Sequence, residues 1–277
     1  MRKIVLLGLL SILLVSITFP TFAFSTQTDI SAKGWDTSRS LLDVRGDKRP
    51  KAATGINGSA PPDPKLRWAL IIGISDYAPV GEGGPDLRYC DEDALDVNKT
   101  LVEKYGYLVS NIILLLDGNA TKEWIMGNIT LLKGLVKEEY EVMFSFSGHG
   151  TKGKGQSGII AHDRAPIWNK ELAEAFAGFE TNRICFIFDS CFSGGMDGVA
   201  APGRVVCMAA MGLAWESSEW ENGQFTYYFV DQGMYSGLAD ANGDGYVTVE
   251  EAFDYAVANC KMQRPKINDQ FENDMPL

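Results

Sequence analysis

The sequence predicts an α/β fold, a three-layer sandwich in which a mainly parallel sheet is covered by helices on both faces. From residue 66 onward, short apolar runs rich in Ile, Val, Leu and Phe alternate with segments of helical periodicity. Such alternation is typical of βαβ units with right-handed crossovers, which build parallel sheets. Residues 66–277 are enough for one such domain with a complete core.

The apolar runs predict five strands, at residues 68–74, 111–115, 141–146, 183–188 and 205–210. Good helix formers with apolar residues at helical spacing predict three helices, at residues 92–104, 121–138 and 170–177. The third and fourth strands are apolar almost throughout, as expected for strands that are buried on both faces of a parallel sheet.

The first 23 residues are predicted to be a signal peptide. Arg2 and Lys3 precede an uncharged apolar run at 4–19, and Thr21-Phe22-Ala23 supplies a small-x-small cleavage site. The run has sixteen residues, fewer than the roughly 20 that span a bilayer. We therefore expect a secreted or extracytoplasmic protein, with membrane attachment only if this segment stays uncleaved.

Residues 24–65 are predicted to be a disordered linker or pro-segment. They are rich in Thr, Ser, Asp, Lys, Gly and Pro and show neither helical nor strand periodicity. A solvated tail is the simpler of the two interpretations. The catalytic domain is therefore expected at 66–277.

Composition excludes several functional classes. The formal net charge is −11, and −13 for residues 24–277, which lack Arg2 and Lys3. Nucleic-acid binding is not expected of so acidic a chain, because it depends on Lys and Arg that neutralise phosphates. Five irregularly spaced cysteines without a C-x-x-C pair do not predict a disulfide scaffold or a zinc site.

Two short motifs indicate a nucleophile and a base. Ser147-Gly148-His149-Gly150 and Asp189-Ser190-Cys191-Phe192-Ser193-Gly194 each follow a predicted strand. Parallel strands end at one edge of the sheet, where open α/β sheets bind ligands, and a cysteine nucleophile requires a nearby base. Of the two histidines, His149 stands between glycines and is predicted as the base, whereas His162 is predicted as a polar residue at a strand end.

In this order, the two motifs resemble those of the caspase-like cysteine peptidase superfamily, on its metacaspase side. The similarity extends from about Leu66 to the C-terminus. Residues 70–77 resemble the family's first strand and its exit, and residues 87–94 the start of its first helix. Residues 206–210 and 225–229 resemble its small-subunit strand and helix.

This resemblance implies a caspase-like fold and a peptidase activity. Cys191 would be the thiolate that attacks the peptide carbonyl, and His149 would protonate the leaving amine. The backbone N–H groups of Gly150 and Cys191 would form the oxyanion hole, where each donor contributes about 3 kcal/mol to lowering the barrier. No third member of a catalytic triad is evident.

The resemblance also implies a pocket for the substrate residue before the scissile bond, lined by Cys90, Asp93, Ser147 and Asp189. Two carboxylates there would select Arg or Lys. Structural interpretations also exist: Asp189 as a cap for the turn after its strand, and Asp93 as an acid in the first turn of a helix. Aspartate-specific caspases carry Q-A-C-[RQG]-G around the nucleophile, which this chain lacks, and Phe192 stands where metacaspases commonly have His.

Residues 240–251 match the twelve-residue EF-hand calcium loop. Gly245 supplies the sharp turn. The predicted Ca²⁺ ligands are Asp240, Asn242, Asp244, the Tyr246 carbonyl, Thr248 and Glu251. An acidic turn without function is the alternative. We expect a structural clip rather than a switch, since an exported protein is exposed to calcium.

The predicted function is that of an exported cysteine endopeptidase that cleaves proteins or peptides after Arg or Lys and binds Ca²⁺. The alternative is a catalytically silent caspase-like module that binds calcium and partners. A papain-like peptidase is not expected, because there the Cys precedes the His in the chain.

Overall fold

The computed structural model describes residues 63–79 and 84–277. The predicted signal peptide and nearly all of the predicted linker lie outside the described residues. The strands are β1 (Arg67–Gly73), β2 (Ile112–Leu116), β3 (Glu141–Ser147), β4 (Gly150–Gly153), β5 (Gln156–Ile160), β6 (Pro166–Trp168), β7 (Ile184–Asp189), β8 (Arg204–Met208), β9 (Glu216–Ser217), β10 (Asn222–Gly223) and β11 (Lys266–Asp269).

The helices are α1 (Cys90–Glu103), α2 (Lys122–Leu135), α3 (Asn169–Phe176), α4 (Gln224–Thr226), its continuation as a π-helix (Tyr227–Tyr235), and α5 (Val249–Asn259). Short 3₁₀-helices lie at Pro64–Leu66, Val109–Asn111, Asp117–Asn119 and Ser193–Val199. All five predicted strands and all three predicted helices are present, with ends shifted by up to three residues.

A six-stranded sheet in the order β11-β8-β7-β3-β1-β2 forms the centre of the described domain. β11 is antiparallel to β8, and the other neighbours are parallel. Two small antiparallel sheets, β4-β5-β6 and β9-β10, accompany it. These two sheets and β11 were not predicted from the sequence.

Helices cover both faces of the central sheet, as predicted. Side chains alternate along each strand, so that Phe144 packs in one core and Met143 in the other. The first core takes its helical residues from α2, α3 and the 3₁₀-helix Ser193–Val199, and the second takes them from α1, α4, the π-helix and α5. The mixed α/β fold with a mainly parallel sheet is therefore confirmed.

Helix α1 begins two residues earlier than predicted because a side chain from the β1 exit caps it. Ser75 Oγ accepts hydrogen bonds from the backbone N–H groups of Cys90 (2.9 Å) and Asp91 (3.1 Å). These donors have no partner within the helix. The cap fixes the first turn of α1, which contains Asp93, beside the carboxyl end of β1.

The sheet register brings the two predicted motifs together. Strands β3 and β7 are hydrogen-bonded neighbours, and Ser147 pairs with Asp189 at their carboxyl ends. His149 and Cys191 therefore each lie two residues beyond the last residue pair of strands β3 and β7. None of the helices among the described residues is long and apolar enough to cross a membrane.

Candidate active site

A pocket with an empty volume of about 390 Å³ opens at the carboxyl edge of the sheet. Both predicted catalytic side chains and all four predicted specificity residues line it: Cys90, Asp93, Ser147, His149, Asp189 and Cys191. Its other side-chain walls come from residues that the sequence did not single out: Leu87, Ser190, Ala214, Trp215 and Glu216. Gly148 and Gly223 complete the lining.

Tyr77 and Pro85 hold His149 in place. Tyr77 Oη accepts the His149 backbone N–H at 2.7 Å, and the two rings lie 4.7 Å apart between centroids. His149 Nε2 lies 2.7 Å from the Pro85 carbonyl oxygen. A carbonyl only accepts, so this contact assigns the proton to Nε2 and leaves Nδ1 as the nitrogen that can exchange a proton. The backbone of Pro85 thus orients the imidazole as a side chain would in a triad.

Cys191 lies in a turn with little spare room. A Cβ on Gly150 would overlap the Cys191 carbonyl oxygen, so glycine is required there. Phe192 adopts a left-handed conformation with φ 57°, which is uncommon for a residue other than glycine. The Ala214 backbone N–H donates to Cys191 Sγ at 3.4 Å. Cys191 is therefore held between the start of β4 and the segment that precedes β9.

Asp93 and Asp189 are both buried and accept hydrogen bonds from neutral donors. Asp93 accepts from Ser147 Oγ at 2.6 Å and from the Gly223 N–H at 2.9 Å. Asp189 Oδ2 accepts from Thr226 twice, through its N–H at 3.0 Å and its hydroxyl at 2.9 Å. Asp93 lies in the first turn of α1, as its structural interpretation expects, and it also lines the pocket. Asp189 accepts its hydrogen bonds from Thr226 in the first turn of α4, which does not correspond to a cap for the turn after its own strand.

Burial perturbs these acids. Burial raises the pKa of Asp93 well above its usual range, and nearby Asp189 raises it further. Burial also raises the pKa of Asp189 to about 6, against the opposing effect of the Thr226 donors. The pKa of the Cys90 thiol is raised as well, by burial and then by the charge of Asp93. The pocket is therefore acidic, and no Lys or Arg side chain of the described residues lines it.

Ser190 and Gly223 are two pocket residues that sequence reasoning missed. Ser190 is buried, and its Oγ has no hydrogen-bond partner among the described residues. A Cβ on Gly223 would lie 2.5 Å from Asp189 Oδ2 and 2.9 Å from Asp93 Oδ2. Glycine at this position keeps the space between the two carboxylates open. No sequence pattern indicates Gly223, whereas Ser190 lies inside the second motif, between Asp189 and Cys191.

His162, predicted to be a polar residue at a strand end, does not line the pocket. Its Nδ1 lies 2.7 Å from the Asp76 carbonyl oxygen, and its backbone N–H donates to the Ala120 carbonyl. Its contacts tie together the loops that follow β1 and β2.

The predicted calcium loop, 240–251, is a chain of tight turns. Asp240 accepts from the N–H groups of Gly243 (2.7 Å) and Gly245 (3.0 Å), and Asp244 accepts from the Tyr246 N–H (2.9 Å). Glu251 accepts from the Thr248 N–H and closes a capping box at the start of α5. Within 63–79 and 84–277, no group of three or more His, Cys, Asp or Glu side chains is arranged to hold a metal ion.

The fold and the pocket are those of a caspase-type domain. The family model for the caspase domain, peptidase C14, matches residues 66–265, and the chain belongs to this family. Metacaspase-7 of Arabidopsis thaliana is 30% identical over 144 residues. That region is 46% of this chain and 35% of the Arabidopsis protein, so the chain spans about a third of that relative's length.

The crystal structure of protein GSU0716 from Geobacter sulfurreducens is similar in fold. The TM-score is 0.57 at 17% identity, over 73% of this chain and 92% of that chain. At this level of identity the likeness concerns the fold alone. It agrees with the mainly parallel α/β architecture.

Proposed function

We propose that this chain is a cysteine endopeptidase that uses His149 and Cys191 and cleaves after Arg or Lys. The observation that supports the specificity is the pair of buried acids, Asp93 and Asp189, in the pocket that also contains Cys191. Buried carboxylates destabilise a protein unless a cation or hydrogen bonds compensate them. A basic substrate side chain supplies the missing cation, whereas an acidic one adds repulsion.

The proposed reaction is acyl transfer in two steps. Cys191 Sγ, as the thiolate, forms a thioester with the substrate carbonyl carbon; the C–N bond breaks, and the amine leaves with a proton from His149 Nδ1. Water then attacks the thioester carbon. His149 takes a proton from this water, the C–S bond breaks, and the carboxylic acid product and the thiolate form.

The proposal is tested with purified protein and three peptide substrates that differ only in the residue before the scissile bond: Arg, Lys or Asp. We expect cleavage after Arg and Lys, no cleavage after Asp, and no activity in Cys191→Ala. Undiminished cleavage after Arg by Asp189→Ala contradicts the proposed specificity. If the wild type cleaves none of the three, the catalytically silent module is favoured.

We also propose that the loop 240–251 binds Ca²⁺ and acts as a structural clip, in which the bound ion fixes the position of helix α5. Support comes from the residue types and from the loop turns, in which Gly243 (φ 75°) and Gly245 (φ 90°) adopt conformations that favour glycine. Burial raises the pKa of Glu251, and the nearby charges of Asp240 and Asp244 raise it further. A cation among these acids relieves their repulsion.

Thermal unfolding with added Ca²⁺ or with a chelator tests the clip. We expect Ca²⁺ to raise the unfolding midpoint of the wild type and not of Glu251→Gln, with the activity of the two proteins equal across a calcium titration. An unfolding midpoint that does not change with Ca²⁺ contradicts calcium binding by the loop. Loss of calcium-dependent activity in the variant contradicts the clip and supports a switch.

We propose that the protein is exported. This rests on residues 1–23 alone, which lie outside the described residues. Cell fractionation with and without these residues tests it: we expect the intact gene product in the extracytoplasmic fraction, and retention of the truncated one inside the cell. Equal distribution of the two contradicts export.

A further inference from the structure

The turn between strands β5 and β6, residues 161–165, contacts the loop that follows β1. The His162 carbonyl of this turn accepts the Ala78 N–H of the loop at 3.0 Å. The same loop contains Pro85, whose carbonyl oxygen lies 2.7 Å from His149 Nε2. The turn does not line the pocket, but it adjoins the segment that orients the proposed base.

Arg164 of this turn joins two separate positions of the loop. Its Nε donates to the Ala78 carbonyl, and its Nη1 donates to the Gly84 carbonyl at 2.8 Å. The guanidinium carbon also lies 5.4 Å from the centre of the Tyr77 ring, a distance at which a cation is attracted to an aromatic face. Because a guanidinium presents its donors in a rigid plane, these contacts fix the two carbonyls relative to each other.

Both of these positions lead directly to His149. Tyr77, next to Ala78, accepts the His149 backbone N–H through its hydroxyl. Pro85, next to Gly84, contacts His149 Nε2 through its carbonyl. The Gly84 backbone itself lies against the imidazole, because a Cβ on Gly84 would be 3.0 Å from His149 Cε1. One side chain therefore holds both of the groups that position the imidazole.

Arg164 makes these contacts from a left-handed backbone conformation with φ 60°, which is uncommon for a residue other than glycine. Such a conformation persists only where the surrounding contacts fix it. We infer that Arg164 is a positioning residue, whose guanidinium holds the loop so that the Pro85 carbonyl keeps its contact with His149 Nε2 and leaves Nδ1 for proton transfer. This inference rests on the proposed peptidase function and adds to it a residue outside the pocket.

Arg164→Asn tests the inference, because Asn removes the guanidinium and adopts the left-handed conformation more readily than Arg does. We expect kcat on an arginyl peptide to fall by at least about tenfold, the loss of one charge-assisted hydrogen bond. KM should not change, since Arg164 does not line the pocket. Arg164→Lys keeps the charge but replaces the planar fork by a compact ammonium, so its kcat should lie between those of the wild type and Arg164→Asn.

Lys154→Asn is the matched control. Lys154 is an exposed basic residue in the turn between β4 and β5, and it is also left-handed, with φ 49°. The same substitution therefore removes the same charge from the same backbone conformation, away from the loop that contains Pro85. We expect it to leave both kcat and KM unchanged.

Alkylation of Cys191 by iodoacetamide, followed by peptide mapping, gives a second readout that does not depend on peptide cleavage. The thiolate is the form that reacts, and a neighbouring base promotes its formation. We expect Arg164→Asn to slow this alkylation when His149 is present and to have no further effect in His149→Ala, because Arg164 acts through His149.

An unchanged kcat, a change in KM alone, or an equal loss of kcat in Lys154→Asn would overturn the inference. Further slowing of alkylation in the His149→Ala background would do the same. Loss of folded protein in both Arg164 variants would indicate a purely structural role and would also overturn it. A wild type that cleaves no basic peptide refutes the peptidase proposal itself, and the alkylation comparison then still decides whether Arg164 positions His149.

Discussion

Replacing Asp189 by Asn should make the protein more stable and less active. Asn has the same shape, and its carbonyl oxygen can accept both hydrogen bonds that Thr226 donates to Asp189 Oδ2. The change removes a carboxylate that is only 5% exposed. It also replaces the remaining acceptor, Oδ1, by an NH₂ group, which cannot accept from a substrate cation.

The magnitude follows from the pKa of Asp189, which rises from its ordinary value of 3.8 to about 6 in the folded protein. Because the folded pKa is raised, the contribution of this group to stability is complete below pH 3.8 and is lost as the pH rises to about 6. One pKa unit corresponds to about 1.4 kcal/mol. The free energy of unfolding should therefore increase in Asp189→Asn by about 1 kcal/mol at pH 4.5 and about 3 kcal/mol at pH 7.5.

Urea unfolding of both proteins at the two pH values measures this difference, with cleavage of an arginyl peptide as the functional readout. Glu272→Gln, at an exposed position, controls for the change in net charge. A gain that is the same at pH 4.5 and pH 7.5, or a variant that is less stable at pH 7.5, would contradict a destabilising charge on buried Asp189. Arginine cleavage that survives the substitution would contradict a role of Asp189 in binding the substrate.

Three further predictions concern the same site. Tyr77→Phe removes the hydroxyl that accepts the His149 N–H, so kcat should fall about tenfold with KM unchanged; a change in KM alone contradicts the positioning role. Gly223→Ala suits the local φ of −62° but fills the space between the carboxylates, so arginine cleavage should be lost, whereas Gly212→Ala, with nothing within 4 Å, should be neutral. Protonation of Asp189 below its pKa of about 6 should raise the KM for arginyl peptides between pH 7 and pH 5, and a flat profile contradicts this.

The long apolar elements of this fold could be predicted from sequence because burial imposes a pattern on them. Strands β3 and β7 are buried along their whole length, so most of their residues are apolar on both faces. Strands β4 and β10 have no such pattern. Gly150–Gly153 and Asn222–Gly223 are short and polar, and their pairing depends on neighbours rather than on periodicity.

The proposed catalytic pair, His149 and Cys191, can be singled out from sequence because rare residue types stand at strand ends. The residues around the pair were missed because their roles arise from contacts between distant parts of the chain. Glu216 and Arg88 are 128 residues apart. Pro85 contacts His149 through its backbone carbonyl, which any residue type could supply, so no sequence motif indicates it. Gly223 has an ordinary φ, so its role depends on the two carboxylates beside it and not on backbone conformation.

Labelling with an arginyl chloromethyl ketone, followed by peptide mapping in a mass spectrometer, tests the nucleophile and the substrate specificity together. The reagent requires a basic-residue pocket and a reactive thiol at one site. We predict one adduct, on Cys191, that is absent from His149→Ala and from Asp189→Asn and that an aspartyl chloromethyl ketone does not produce. Labelling of another cysteine, or equal labelling by the aspartyl reagent, would contradict a basic-specific peptidase with Cys191 as its nucleophile.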